Sequence, residues 1–327
     1  MPRTKIVVTG SSGFIGKNLM DKLPRVMPSA EIVTLLRSGA NRSDGVVADY
    51  GDAASLMRIQ ALREANYVIH LAGITRGIRE REFREGIIVP TKNLLEALCR
   101  TNKNLRRFVF ASSHAAAGPS RCLEHFKQED EKPCPIESYG KCKLDAEYLI
   151  QSYGYSIPFT ILKLGAVYGP HDVDFLNIYK MLRFRVNIYP GYRNNYVSYV
   201  FVSDAVQAII LSMLSDRAQN QVYFICNDHP AQWKDIHEAV IRSAQVKAVS
   251  VNLPYKVVLG LSYLGVIPAL CLRRVPILNP QKLRLSSSPY WIASNLKAKQ
   301  ELGFSPFYSL EEGIQITYDW YKKMRLI

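Results

Sequence analysis

The feature that most constrains this chain is the run Thr9-Gly10-Ser11-Ser12-Gly13-Phe14-Ile15-Gly16, because of what stands on either side of it. Residues 5–9 before it are short, apolar and β-branched, the pattern of a buried strand. Residues 14–23 after it place apolar side chains at helical spacing. A strand that feeds a helix through three closely spaced glycines is a phosphate cradle. Gly10 permits the tight turn, Gly13 lets the backbone approach a pyrophosphate, and Gly16 lets helix and sheet pack closely. The helix N-terminus then offers unpaired N–H groups and the positive end of its dipole to the phosphates.

The same alternation continues through the first half. Strands are predicted at 5–9, 31–36, 46–48, 67–71, 107–111 and 159–163, with helices at 14–23, 53–64, 89–100 and 138–152. Repeated βα units imply a parallel, doubly wound sheet. After Gly169-Pro170 the order is less regular. A stretch rich in Tyr, Asn and Arg runs to about residue 198, followed by a strand at 200–202, a helix at 204–214 and a buried strand at 222–226. Beyond Asn227 the chain reads as helical, and Ser309-Leu-Glu-Glu312 is a capping box that opens the last helix. The expected architecture is α/β: a cofactor domain from 1–170 and 199–228, and a smaller, mostly helical substrate lobe from 171–198 and 229–327.

Charge narrows the partners. Of 327 residues, 42 are basic and 28 acidic, giving a net charge of +14. The basic residues are spread along the chain with no nucleic-acid-binding motif or basic tail, so no nucleic acid partner is expected. A solvated basic surface and a surface that favours anionic lipid both remain open. The longest uncharged run, 257–272, lies between Lys256 and Arg273-Arg274 and contains Pro268. It falls short of the about 20 apolar residues of a membrane span. The six cysteines have no paired spacing, which argues against a metal site and for reduced thiols. Met-Pro-Arg-Thr-Lys leads straight into Ile6, so no leader is expected and the location is read as cytoplasmic, with peripheral membrane contact open.

Arg37 stands at the end of the second predicted strand, where sites for NAD carry a carboxylate to hold the ribose 2′-OH. A carboxylate repels a 2′-phosphate and an Arg pairs with it, so Arg37 with Ser38 favours NADP(H) over NAD(H). Further motifs follow in order: Asp49 after Val46-Val47-Ala48, His70-Leu71-Ala72-Gly73, Phe108-Val109-Phe110-Ala111-Ser112-Ser113, Tyr139-Gly-Lys-Cys-Lys143, Val167-Tyr168-Gly169-Pro170 and Leu302-Gly303-Phe304-Ser305-Pro306. Together they resemble the extended short-chain dehydrogenases/reductases, nearest to the 3β-hydroxysteroid dehydrogenase-like branch. The resemblance implies a Rossmann-like fold and places Gly10, Ser12, Gly13, Phe14, Ile15, Gly16, Arg37, Ser38, Asp49, Tyr50, Leu71, Ala72, Gly73, Tyr139, Lys143, Leu164 and Val167 against the cofactor. It also implies a Ser113–Tyr139–Lys143 site, and a homodimer of the kind common in relatives.

Tyr139 and Lys143 are four apart and share a helix face. A phenol is a poor base at neutral pH, and a neighbouring ammonium is expected to lower its pKa. Tyr139 would move the proton of an alcohol or ketone, and Ser113 would hydrogen-bond the reacting oxygen. Where sugar-dehydrating relatives carry an acidic pair after the serine, this chain has His114 and Ala115. His114 is read as a wall residue, with a substrate-side acid/base role as the alternative. Ile87, Ala117 and Ala166 replace polar family residues. Val197-Ser198 replaces the Arg-Asp with which nucleotide-sugar epimerases meet a diphosphate, although Arg193 lies close in sequence. The expected activity is an NADP(H)-dependent interconversion of secondary alcohol and ketone on a largely apolar small molecule. A nucleotide-sugar epimerase and a non-catalytic NADPH-binding subunit are the alternatives.

Overall fold

The computed structural model describes residues 3–37, 45–190, 193–271 and 280–327. In chain order the first half runs β1 (Lys5–Thr9), α1 (Phe14–Val26), β2 (Glu31–Arg37), β3 (Val46–Ala48), α2 (Ala53–Met57), α3 (Gln60–Glu64), β4 (Tyr67–His70), α4 (Glu80–Phe83), α5 (Val89–Thr101), β5 (Arg107–Ser113), α6 (His114–Ala117), α7 (Ser138–Ser152) and β6 (Phe159–Leu164). The second half runs β7 (Ala166–Tyr168), α8 (Val173–Leu182), β8 (Val186–Pro190), β9 (Tyr196–Val197), β10 (Tyr199–Phe201), α9 (Val202–Leu214), β11 (Gln221–Ile225), β12 (Ala231–Gln232), α10 (Trp233–Ala244), β13 (Val249–Leu253), α11 (Tyr255–Cys271), α12 (Pro280–Leu285), β14 (Tyr290–Trp291), α13 (Leu296–Leu302) and α14 (Leu310–Lys323).

Seven strands form one parallel sheet in the order β11-β6-β5-β4-β1-β2-β3. Side chains alternate between its faces, and both faces are apolar. Ile6, Val8, Val109, Leu162 and Ile225 pack into one cluster with Leu19 of α1 and Val206 and Ile209 of α9. Val7, Val68, Phe108 and Ile161 pack into another with Leu56, Leu94 and Ala146 from the helices on the opposite side. The fold is therefore the Rossmann-like, doubly wound α/β sheet expected.

The chain steps outward from β1 to β3, then returns past β1 to β4. The strand order reverses between β1 and β4, and such a reversal opens a crevice at the carboxyl ends of the strands. The glycine loop and the 71–73 segment follow those two strands.

A third cluster gathers Tyr168, Phe175, Tyr179, Val197, Ile236, Trp291, Ile314 and Tyr321. It contains small sheets as well as helices: β12-β9-β14 form one, β13-β8 a second and β10-β7 a third. The two-residue strands β9, β12 and β14 carry no alternation to be seen in the sequence. The expected helix at 53–64 is two helices, α2 and α3. Asp52 caps the first through the N–H groups of Ala54 and Ser55, and the second starts afresh from Ile59 in an extended conformation. The predicted strand at 200–202 is β10 at Tyr199–Phe201, paired with β7 outside the main sheet, and α9 begins at Val202.

Candidate active site

The turn after β1 has no room for side chains. Gly10 has φ +72°, and a Cβ there would lie 2.7 Å from the Ala72 nitrogen. A Cβ on Gly16 would lie 2.1 Å from the Gly10 carbonyl oxygen. Gly13 stands at the start of α1 with no side chain capping the first turn. Ser11 is 2% exposed and its Oγ has no partner among the described residues. Open amides and an orphaned hydroxyl at a helix N-terminus fit the pyrophosphate of a dinucleotide. Ser12 and Gly13 are exposed, and Phe14 and Ile15 are half-buried in the first turn of α1.

A buried chain of hydrogen bonds locks this turn to the crevice. The Thr91 hydroxyl donates to the Ile87 carbonyl (2.6 Å), so His70 Nε2, 3.1 Å from Thr91 Oγ1, must be the donor there. His70 Nδ1 then accepts from Thr9 Oγ1 at 2.7 Å, and Thr9 Oγ1 accepts the Ala72 N–H at 3.1 Å. Burial pushes His70 down to about 3, which keeps the ring neutral and matches this single tautomer. Leu71 and Ala72 are thereby held half-buried over β1, with Gly73 exposed beyond them.

At the other end of the crevice, a cleft of about 390 Å³ joins Arg37, Asp49 and Tyr50 to Gly51, Ile74, Gly86, Val89 and Pro90. Arg37 ends β2 exposed, and Ser38 lies outside the described residues. Asp49 Oδ1 accepts the Gly51 N–H at 2.9 Å, and the Tyr50 hydroxyl donates to the Leu35 carbonyl at 3.0 Å. Glu82 and Glu85 also line the cleft, each already engaged, by the Ile78 N–H and the Arg81 guanidinium. This second wall comes from α4, α5 and the π-helical turn Arg84–Ile88 between them, and no motif points to it. Ile87 is fully buried in that turn.

Ser113, Tyr139 and Lys143 converge at the end of β5. Ser113 ends the strand, lies in register with buried Leu164 of β6, and caps α6 by accepting the Ala115 N–H at 3.2 Å. Glu137 caps α7 through the N–H groups of Tyr139 and Gly140, at 2.5 and 2.6 Å, which sets where the tyrosine begins. The Tyr139 and Ser113 hydroxyls share a hydrogen bond, and the phenol ring packs edge-on against Phe83 with centroids 6.0 Å apart. One turn on, Lys143 is 5% exposed, and its ammonium donates to the Ala111 carbonyl at 2.7 Å and sits 4.5 Å over the Phe110 ring. Val167 lies in β7, paired with Val200 beside β6.

The electrostatics correct one expectation. The Tyr139 phenol is held above its ordinary value, because burial outweighs its hydrogen bond to Ser113. Burial also lowers Lys143, to about 8, against the opposing charge of Glu147. Tyr139 thus keeps its proton at neutral pH rather than standing as phenolate. His114 is 5% exposed, pushed down to about 3 by burial, and packed against Phe224 and Trp291 at 5.3 and 5.9 Å. The ring is enclosed and neutral, and its buried Nε2 has no partner among the described residues.

Sequence reasoning missed three groups: Ser11 Oγ, the cap Glu137, and Glu147. Glu147 is 2% exposed, accepts from Ser112 and pairs with Lys163 at 3.3 Å. Its position four residues after Lys143 is the one signal that could have found it.

The sequence profile described as "NAD dependent epimerase/dehydratase family" matches residues 6–226. A 3beta-hydroxysteroid-dehydrogenase/decarboxylase of Arabidopsis thaliana (isoform 1) is 23% identical, covering 98% of this chain and 80% of that protein. A UDP-glucose 4-epimerase of Vibrio cholerae is 26% identical, covering 70% of this chain and 72% of that protein. Among solved structures, a UDP-glucose 4-epimerase with UDP-glucose from Thermotoga maritima superposes with TM-score 0.79 at 23% identity, covering 98% of this chain and 100% of that one.

Proposed function

The chain belongs to the NAD dependent epimerase/dehydratase family, and from that premise we propose that it is an NADP(H)-preferring reductase/dehydrogenase acting on a secondary alcohol or ketone of a largely apolar, sterol- or lipid-like small molecule. The observation that carries this reading is the surroundings of the serine toward the third cluster. Residues 115–117 are alanines, His114 is neutral, and Trp291 and Phe224 close on it. Val197 is buried, and Ser198 is 1% exposed with its Oγ spent on the Ala293 N–H at 3.0 Å. No cation stands at either position to meet a diphosphate.

A bound nicotinamide dinucleotide supplies the hydride chemistry. The chain supplies the rest. Tyr139 Oη gives its proton to a carbonyl oxygen, or takes one from the alcohol in reverse. Ser113 Oγ holds the same oxygen and stabilises its developing charge. Lys143, anchored on the Ala111 carbonyl, places a positive charge beside them and would hold the cofactor's sugar. Arg37 would pair with the 2′-phosphate.

A charged hydrogen bond contributes about 1.5–3 kcal/mol, so Arg37→Ala is expected to lower NADPH affinity about 10- to 100-fold while leaving NADH nearly unchanged. Fluorescence titration with both reduced cofactors measures this. Equal wild-type affinities, or a preference that survives the substitution, would remove the assignment.

One observation favours the epimerase reading. The Arg193 guanidinium lies 5.5 Å over the Tyr189 ring, and its buried Nε has no partner among the described residues. Relatives named as UDP-glucose 4-epimerases fit the same reading. Calorimetry of NADP-saturated protein with UDP, dTDP and their sugars separates the two. We expect no binding tighter than about millimolar, because a diphosphate needs fixed, forked donors. Micromolar binding lost in Arg193→Ala would replace the apolar substrate with a nucleotide sugar.

A further inference from the structure

Helix α11 is apolar on two sides. Its inner stripe includes Val258 at 1% exposure and buried Ser262, which bonds back to the Leu259 carbonyl at 2.7 Å. On the outer stripe Val257 is 50%, Leu261 48% and Leu264 69% exposed, one helical turn apart, with Tyr263 at 52% beside them. A surface helix ordinarily turns polar side chains to water along that stripe, and a contiguous exposed apolar face marks a docking surface.

The charge around it identifies the partner. Residues 239–300 contain nine basic residues and no carboxylate, and residues 175–203 contain four and none. These two stretches meet in the structure. β13 pairs with β8 from Val249 opposite Val186 to Leu253 opposite Pro190, and β13 leads through Pro254 into α11. At the start of that pair Phe184, 81% exposed between Arg183 and Arg185, neighbours Val249, 69% exposed. Arg183, Arg185, Lys247 and Lys256 flank these apolar side chains, whereas Arg242 and Lys299 of the same stretches are paired elsewhere, with Glu311 and Asp228. Arg273 and Arg274, which follow α11, lie outside the described residues and enter only through this charge count.

We propose that the outer face of α11, with the adjoining β8–β13 edge, docks on an anionic lipid surface. Aliphatic and aromatic side chains enter the head-group boundary while the basic residues remain among the lipid phosphates and carboxylates. No helix among the described residues is long and apolar enough to cross a membrane, so the contact is peripheral. A second copy packed face to face would set cations against cations, which disfavours that occupant.

Flotation of the full chain with phosphatidylcholine vesicles, with and without phosphatidylserine, tests the assignment independently of any substrate. The chain floats with the anionic vesicles only, and the bound fraction falls several-fold between about 0.1 M and about 0.5 M salt, as screening shortens. Leu261→Glu/Leu264→Glu, at half-exposed positions where the melting temperature should hold, loses about tenfold or more of the binding. Lys256→Glu loses less. Equal binding to neutral vesicles, no flotation, or a double variant that binds like wild type each overturns the proposal. So does a concentration-dependent dimer that the same substitutions dissolve without any vesicle binding, since that result gives the face to a second copy.

Discussion

Tyr139→Phe is expected to bind NADPH nearly as the wild type does and to lose about 10²–10⁴-fold in turnover. The ring keeps its packing on Phe83, and α7 keeps its Glu137 cap, so the fold has no reason to change. What disappears is one hydroxyl, bonded to Ser113 and held protonated by burial. Without it no group of the chain at that point can give a proton to the carbonyl oxygen. Lys143 stands one helical turn on, anchored by its hydrogen bond to the Ala111 carbonyl at 2.7 Å. Single-turnover kinetics with a ketone substrate, beside a cofactor titration, reads both halves of the expectation. A variant that turns over within a few-fold of wild type would exclude Tyr139 as the proton donor.

Glu147→Ala is expected to cost about 3–5 kcal/mol of folding stability, the range for removing one member of a buried ion pair. Its carboxylate and the Lys163 ammonium are 3.3 Å apart with side chains 2% and 6% exposed. Lys163 also lies 5.6 Å from the Phe224 ring and within electrostatic range of Glu129, so truncation removes its paired carboxylate from a buried cation. The Ser112 hydroxyl loses its acceptor at the same time. Burial raises the Glu147 pKa despite Lys163, which shows how much desolvation the pair must offset. Glu147→Gln, which keeps volume and the Ser112 contact, should lose less, and adding Lys163→Met should recover part of the loss. Urea unfolding of the three variants measures these differences. A loss below about 1 kcal/mol for Glu147→Ala would mean that the pair behaves as a solvated one. The charge also matters next door: Glu147 raises the Lys143 pKa from one turn away, opposing the burial that lowers it.

The two residues differ in how visible they are. Tyr139 and Lys143 belong to one spacing on one helix, and Ser113 ends a strand whose apolar run is plain. Glu147, Ser112 and Lys163 come from α7, β5 and β6, and nothing local marks them as partners. The strands β1 to β6 were predicted within one residue at each end except β5, which runs two residues further; apart from the edge strand β3, whose Val46 and Val47 are exposed, they are largely buried apolar runs. The two-residue strands β9, β12 and β14 escaped, since a pair of residues has no period.

The sequence by itself determined the glycine turn, the doubly wound order and the shared face of Tyr139 and Lys143, because each is a matter of local sterics or of spacing along one element. Only the tertiary structure decided that the Tyr139 phenol is held protonated and that His114 is enclosed and neutral. Only it decided that Arg37 faces a wall built from α4, α5 and the π-helical turn. Desolvation and hydrogen bonding act over a few ångströms between groups far apart in the chain, so their outcome exists only once the chain is packed.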